Sequence, residues 1–263
     1  MSAVLEATGI SVSFGGVRAV VDVDLEVREG QLVGLIGPNG AGKTTFIDAI
    51  SGFVPSRGKV ELDGKDLTSL PPHARARHGL AHTWQSIELF DDLTLLENLT
   101  VASHRPSALT TVKELVSSAS TEAEPNLAIL QRLGLADRAE EMPEDLSQGQ
   151  RKLVGVARAL AAKPRILCLD EPAAGLDTRE SEELGQRLRE IVDAGTATLL
   201  VDHDMGLVLG ISDYVVVLEF GQVIAHGPPE VVRRDRRVIE AYLGSAAAEV
   251  SSEALDAAAK AAT

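Results

Sequence analysis

The chain has 263 residues, carries a formal net charge of −14 and is 44% hydrophobic. No apolar run approaches the roughly 18 residues of a membrane-spanning helix, and the N-terminus lacks the basic and apolar regions of a signal peptide. The negative charge argues against extended contact with nucleic acid, and the single cysteine, Cys168, excludes an internal disulfide and fits a reducing compartment. A chain of this length has room for one large core, or for one core with an inserted lobe.

Two strands are predicted near the N-terminus. In residues 21–27, valine and leucine alternate with aspartate and glutamate, and this period of two is typical of a half-buried strand. Residues 31–36 form a short apolar run after Gly30, which predicts a second strand that is buried on both faces.

A glycine-rich loop follows the second strand. It matches the pattern G-x-x-x-x-G-K-[ST], and its residues are Gly37, Pro38, Asn39, Gly40, Ala41, Gly42, Lys43, Thr44 and Thr45. Between a strand and a helix, such a loop binds polyphosphate, because its backbone N–H groups and the helix dipole both favour negative charge. The pattern assigns Lys43 to the outer phosphates and the Thr44 hydroxyl to Mg²⁺. The sequence therefore predicts a nucleoside triphosphate site.

Strands and helices alternate through the rest of the chain, around a helical insertion. A strand ending at Leu62 leads into a hairpin-type turn at Asp63-Gly64, and the pattern from about residue 86 to residue 162 is largely helical. Strands follow at residues 166–169, 198–201 and 214–218, and the helix after the first of them has an apolar face that includes Leu184 and Leu188. This order predicts an α/β fold with a mainly parallel sheet covered on both faces.

One domain is expected over residues 1–244, with the helical lobe inserted at about residues 86–162. Residues 245–263 are rich in alanine, and we expect a frayed or disordered tail there.

Two carboxylates, Asp170 and Glu171, come directly after the apolar strand at residues 166–169. The C-terminal ends of parallel strands are where α/β sheets bind ligands. Asp170 is suited to hold Mg²⁺, and Glu171 is suited to orient or deprotonate the water that attacks a γ-phosphate. The alternative is that both residues only solvate the end of a strand.

A second candidate anion site begins at Leu146-Ser147-Gln148-Gly149-Gln150. Ser147 is the natural N-cap of a helix that runs to about Ala162, and a helix N-terminus attracts anions. Taken alone, the motif indicates no more than a cap. Its position between the phosphate loop and the Asp170-Glu171 pair indicates a function.

The order of these motifs resembles that of the nucleotide-binding subunits of ABC transporters, over nearly the whole chain to Gly244. The resemblance implies a P-loop NTPase fold of the ABC type, with an antiparallel β subdomain beside the parallel sheet and an inserted helical lobe. It also assigns Gln85 to Mg²⁺, His203 to sensing the γ-phosphate and Phe14 to stacking on adenine. Asp177 lies in the loop that crosses to the opposite subunit, and it is also placed to cap the helix beginning near Thr178.

The resemblance further implies ATP hydrolysis by a head-to-tail dimer. In that arrangement Ser147, Gly149, Gln150 and Asp177 of one chain contact the ATP that the other chain holds on its phosphate loop. Lys43, Glu171 and His203 are the implied catalytic residues. The chain departs from the usual motifs by having Gln148 at the third signature position and Trp84 before Gln85, and neither change removes a catalytic group.

Finer similarity is to the ATPases of branched-chain (hydrophobic) amino acid importers. The segments that carry it include Val17-Arg18-Ala19-Val20, Glu97-Asn98-Leu99 and Val238-Ile239-Glu240-Ala241-Tyr242-Leu243-Gly244. This similarity implies a cytoplasmic subunit, peripheral on the inner face of the cell membrane, that works with integral-membrane permeases, a second ABC ATPase and, indirectly, an extracytoplasmic substrate-binding protein. Alternatives are a urea or amide importer, a lipid or lipopolysaccharide exporter, and a soluble ABC ATPase without a transport role.

Overall fold

Ten strands form two sheets in the computed structural model, which describes residues 3–83, 89–103 and 123–242. The strands are β1 (Ala3–Phe14), β2 (Val17–Arg28), β3 (Leu32–Ile36), β4 (Arg57–Leu62), β5 (Lys65–Asp66), β6 (Leu80–Thr83), β7 (Ile166–Asp170), β8 (Ala197–Val201), β9 (Tyr214–Glu219) and β10 (Gln222–Gly227). The predicted tail at residues 245–263 lies outside the described residues.

The larger sheet has the strand order β10-β9-β3-β8-β7-β6. Its neighbours from β9 to β6 are parallel, and β10 pairs antiparallel with β9 at one edge. Every residue of β3, β7 and β8 is buried, as expected for parallel strands covered on both faces. The prediction of a mainly parallel α/β sheet is confirmed.

The smaller sheet is antiparallel, with the order β2-β1-β4-β5. The sequence pattern predicts residues 21–27 of β2, but it predicts neither β1 nor the beginning of β2. The predicted hairpin is present, because Asp63 and Gly64 connect β4 to β5 with φ angles of 49° and 73°, the left-handed pair that a tight hairpin turn needs.

The predicted alternation in β2 is wrong at Val21, which is only partly buried. Val23 faces the core as predicted, but the next core residue toward the N-terminus is Val20. These two residues pair with Ile10 and Val12 of β1, so three steps along β2 oppose two along β1. The extra residue is accommodated at Asp22, whose φ of 51° is left-handed. A β-bulge of this kind shifts the phase of the side chains by one residue.

Besides the helical residues 236–242, eight α-helices pack around the sheets in the described part of the chain. They are α1 (Lys43–Ser51), α2 (Pro72–Arg77), α3 (Leu95–Ser103), α4 (Ala123–Arg132), α5 (Gln148–Ala161), α6 (Thr178–Asp193), α7 (Met205–Ile211) and α8 (Pro229–Val232). Helices α3, α4 and α5 come between β6 and β7 and pack on one another. Among the described residues, no helix has both the length and the apolar character needed to cross a bilayer.

The two faces of β3 show how the core is divided. Leu32 and Ile36 belong to a cluster that includes the apolar side of α3, α5 and α6. Val33 and Leu35 face the opposite way, into a cluster built with α1 and the smaller sheet. The period of two along a strand therefore gives the large sheet a separate core on each face.

The strand order brings three chain segments to one edge of the sheet. β3, β8 and β7 are consecutive neighbours and run parallel. The phosphate loop follows β3, Asp202 follows β8, and β7 ends at Asp170. The carboxyl ends of parallel strands are the usual ligand-binding edge of an α/β sheet.

Gly34 permits the close approach of α7 to β3. A Cβ atom at this position would lie 2.3 Å from Val208 Cγ1 and 2.8 Å from Ser212 Oγ. We expect Gly34→Ala to destabilise the protein by about 1–3 kcal/mol through overpacking, measured by denaturant unfolding.

Gly210, on α7, supplies the matched control. A Cβ atom there meets no heavy atom within 4 Å, so we expect Gly210→Ala to leave stability unchanged or raise it by up to about 1 kcal/mol through helix propensity. Equal destabilisation by the two changes would contradict this account of how α7 packs.

Candidate nucleotide-binding site

Close contacts require two glycines of the phosphate loop, Gly37 and Gly42. A Cβ atom on Gly37 would lie 2.2 Å from the carbonyl oxygen of Leu218, and one on Gly42 would lie 2.4 Å from that of Ala19. Gly42 also has a left-handed φ of 100° and precedes α1 without a side-chain cap. The loop is thus held between β9 and β2, with the N-terminus of α1 directed at the loop, as an anion site requires.

Lys43 is folded into this loop. Its Nζ atom donates hydrogen bonds to the carbonyl oxygens of Gly37 at 2.7 Å and Pro38 at 3.2 Å, and the residue is only 5% exposed. Burial lowers the pKa of Lys43, while the nearby charges of Glu171, Asp170 and Asp202 oppose that shift. A buried ammonium beside the loop is placed to attract the outer phosphates of a nucleotide.

Asp170 and Thr44 form the candidate Mg²⁺ position. The Thr44 side chain lies close enough to Asp170 to lower the pKa of its carboxyl group, although the two residues belong to different elements. Burial, followed by the charge of Glu171, raises the pKa of Asp170 to about 6. Its buried Oδ1 atom has no hydrogen-bond partner among the described residues. A hydroxyl and a carboxylate with an unpaired oxygen are the hard oxygen ligands that suit Mg²⁺.

Glu171 and His203 face each other across the ends of β7 and β8. Glu171 Oε2 lies 3.7 Å from His203 Nδ1. The backbone of Glu171 adopts a left-handed φ of 47°, and its N–H donates to the carbonyl of Val201 at 2.7 Å. Such strained backbone is concentrated at functional sites. The arrangement pairs a carboxylate that can accept a proton with an imidazole that can contact a phosphate.

Asp202 is a residue of this site that the sequence reasoning missed. Its buried carboxylate accepts N–H groups from Ala173 at 3.1 Å, His203 at 2.8 Å and Asp204 at 3.0 Å. It therefore holds the segment after Glu171 against the loop that carries His203. The available signal was an acidic residue directly between a buried strand and the candidate histidine.

A second group of predicted residues lies where α5 begins. Ser147 is the N-cap of α5, and its hydroxyl accepts the backbone N–H of Gln150. The Gln150 side chain accepts the N–H of Ser147 at 3.0 Å and also binds Arg138. This capping box confirms the predicted helix start and gives Gln150 a role within its own chain.

Asp177 lies next to this group, at the start of α6. Its side chain accepts the backbone N–H of Glu180 at 2.8 Å, which confirms it as the N-cap. The Glu180 carboxylate in turn lies 3.2 Å from Ser147 Oγ. Gln148 packs close to Gly175 of the preceding loop, 2.8 Å from where a Cβ atom would stand. The start of α5 and the loop before α6 are thus in direct contact.

A buried lysine connects the two groups of residues. Lys152 lies on α5, one turn after the capping box, and its Nζ atom is 3.5 Å from the carbonyl oxygen of Glu171. Burial lowers the pKa of Lys152, against the charges of Asp202 and Glu171. The start of α5 is therefore linked through one side chain to the backbone of Glu171 at the sheet edge.

Two predicted site residues remain, Phe14 and Gln85, and only Phe14 lies among the described residues. Phe14 ends β1 at the turn into β2, and the residue is 52% exposed. Ala19 of the same hairpin contacts the phosphate loop, so an exposed ring lies on the strand pair beside that loop. Gln85 lies outside the described residues, and its role stays a prediction.

Comparison with known proteins identifies the family. The ABC transporter family matches residues 20–174, and the family described as branched-chain amino acid ATP-binding cassette transporter matches residues 222–248. Among solved structures, the ADP conformation of an ATP-binding cassette of an ABC transporter superposes with a TM-score of 0.82 at 30% identity, covering 93% of this chain and all of that one.

Individual relatives cover almost the full chain. The branched-chain amino acid transport ATP-binding protein BraF of Pseudomonas aeruginosa is 39% identical, and its counterpart LivG of Salmonella typhimurium is 40% identical. The lipopolysaccharide export ATP-binding protein LptB of Escherichia coli is 34% identical. Each match covers 92% of this chain and 98% of the relative. The chain is therefore a member of the ABC transporter family and one of its ATP-binding cassettes.

Proposed function

We propose that this cassette hydrolyses ATP to power the import of branched-chain or other hydrophobic amino acids through separate permease subunits. The observation that carries the substrate class is the similarity to branched-chain amino acid transport proteins, which extends into the C-terminal residues 222–248. The relative from lipopolysaccharide export is less similar, so export of that kind is the second candidate.

The first half of the site binds nucleotide within one chain. Lys43 and the backbone N–H groups of the phosphate loop bind the outer phosphates, and Phe14 stacks on the adenine. Thr44, Asp170 and Gln85 would hold Mg²⁺, which neutralises phosphate charge when bound. Mg²⁺ needs few protein ligands when phosphates supply others, and this agrees with the lack of a three-residue His, Cys, Asp or Glu metal cluster in the described residues.

The geometry at the sheet edge supports the following roles in hydrolysis. The Glu171 carboxylate accepts a proton from the attacking water, and His203 hydrogen-bonds the γ-phosphate while facing Glu171 at 3.7 Å. Asp202 holds the segments that carry Glu171 and His203 in place through its hydrogen bonds to three backbone N–H groups. These groups orient the water and the phosphate, and such positioning is the main contribution of a protein to phosphoryl transfer.

The second half of the site acts on the ATP of a partner chain. Ser147, Gly149, Gln150 and Asp177 complete the site across a head-to-tail dimer, with a second copy or with a different ABC ATPase. The γ-phosphate then closes the dimer and its hydrolysis releases it. Closure moves the helical lobe and with it the docked permease, so the chain works on the inner face of the cell membrane. An extracytoplasmic binding protein delivers the substrate to the permeases. The proposed function involves no binding of nucleic acid.

Replacing Glu171 with Gln tests the hydrolytic half of this proposal. The change preserves size and removes the proton acceptor, so we expect ATP hydrolysis to fall about 10²-fold or more while MgATP binding persists. Phosphate release and calorimetric titration measure the two quantities. An unchanged hydrolysis rate would remove Glu171 from the mechanism.

Two lysine variants accompany that experiment. Lys43→Ala should lose tight nucleotide binding, because the buried cation of the loop is gone. Lys65→Ala, which removes an exposed lysine of β5, should bind MgATP as the unaltered chain does. Retained affinity in Lys43→Ala would contradict the assignment of this lysine to the phosphates.

A pull-down of the tagged chain from detergent-solubilised native membranes tests the transport role. We expect two multi-span permeases and a second ABC ATPase to co-purify, and the associated binding protein to bind leucine, isoleucine or valine. Recovery of soluble partners alone would contradict transport, and a partner set with an affinity for lipopolysaccharide would favour the second candidate.

A further inference from the structure

One carboxylate, that of Glu180, joins the beginnings of α5 and α6. Its Oε1 atom lies 3.2 Å from the Ser147 hydroxyl and accepts the backbone N–H of Gly149 at 3.4 Å. Its Oε2 atom accepts the backbone N–H of Asp177 at 3.4 Å. Each oxygen of this side chain therefore serves a different helix.

Oε1 lies where an anion binds at the N-terminus of a helix. The Ser147 hydroxyl and the Gly149 N–H are donors at the first turn of α5, where the helix dipole favours negative charge. Gly149 leaves room for the carboxylate, because a Cβ atom there would lie 3.0 Å from Oε1. The donors that bind Glu180 are the ones that the proposed function assigns to the γ-phosphate of the partner's ATP.

We propose that the Glu180 carboxylate occupies the phosphate position of the signature helix while the two chains are apart, and that the partner's γ-phosphate displaces it on closure. This inference rests on the proposed head-to-tail site. Two anions cannot share the same pair of donors, so the Glu180 carboxylate must move before the dimer closes. The repulsion between the two like charges also opposes closure. Glu180 thereby raises the ATP concentration at which the dimer closes.

The second oxygen extends this effect to the loop that crosses to the partner. Glu180 completes a capping box with Asp177 at the start of α6, so a shift of its carboxylate away from α5 also changes the contacts of the Asp177 backbone. The start of α5 and the loop before α6 consequently lose their contacts with the Glu180 carboxylate at the same time. Both segments belong to the surface that meets the partner in the proposed dimer.

The substitution Glu180→Gln removes the negative charge of this side chain but keeps its role in the helix cap. Glutamine also completes a capping box, so α6 keeps its N-terminal hydrogen bonds while the anion is lost. In the hydrolysis-deficient Glu171→Gln background, we expect Glu180→Gln to lower the MgATP concentration for half-maximal dimer closure about threefold to tenfold. Sedimentation across a MgATP titration measures this midpoint, for the chain alone and mixed with the second ATPase from the pull-down.

Glu183→Gln is the matched control, since it removes the same charge from an exposed position of the same helix. Its midpoint should equal that of the Glu171→Gln parent. The shift caused by Glu180→Gln should also shrink as salt is raised, because screening weakens the competing charge. A purely structural role in the cap would show no such salt dependence.

The outcomes distinguish this inference from the proposed function. If the Glu171→Gln parent does not close at any MgATP concentration, the two-chain site is contradicted, and the role of Glu180 with it. If the parent closes and Glu180→Gln leaves the midpoint unchanged or raises it, the two-chain site stands and the role of Glu180 is wrong.

Discussion

The parallel pairing of β3, β8 and β7 is the constraint on which the rest of the site depends. Because the three strands are neighbours in register, the phosphate loop, Asp202 and Asp170 arrive at one edge of the sheet. Lys43 lies there among three carboxylates, whose charges oppose the effect of its burial. Buried ionised groups are tolerated when they are paired and hydrogen-bonded. The fold therefore holds a buried lysine and three carboxylates together at this edge of the sheet.

The contacts within one chain also explain how two chains could act as one enzyme. The residues proposed to bind the partner's ATP begin at Ser147, and the residues that act on the chain's own ATP include Glu171. Lys152 lies on α5 with Ser147 and reaches the carbonyl of Glu171, while Glu180 ties the start of α5 to Asp177. In the proposed dimer, these contacts connect the residues that meet the two nucleotides.

What could be predicted from the sequence was local in character. The phosphate loop, the caps at Ser147 and Asp177 and the turn at Asp63-Gly64 depend on residues within a few positions of one another, and the structure confirms these helix starts and this turn. The buried strands were predictable because a parallel strand covered on both faces is apolar throughout.

The features that were missed depend on contacts between distant segments. The bulge at Asp22 is set by the register of β1 against β2, and an alternating sequence does not reveal it. Asp202 acts through Ala173, 29 residues away, and Glu180 through Ser147, 33 residues away. Both carboxylates also have local partners, Asp177 for Glu180 and His203 for Asp202, but no local pattern names the distant ones.

The central claim, that each ATP lies between the phosphate loop of one chain and the start of α5 of another, can be tested by photo-crosslinking. A photoreactive amino acid would replace the exposed Gln148 in the Glu171→Gln chain. Isotopically light and heavy chains would be mixed with the second ATPase, and the captured peptide would be identified by mass spectrometry. The account predicts capture of a phosphate-loop peptide from another chain, and only with MgATP. Capture of the chain's own phosphate loop, or capture that does not depend on nucleotide, would contradict it.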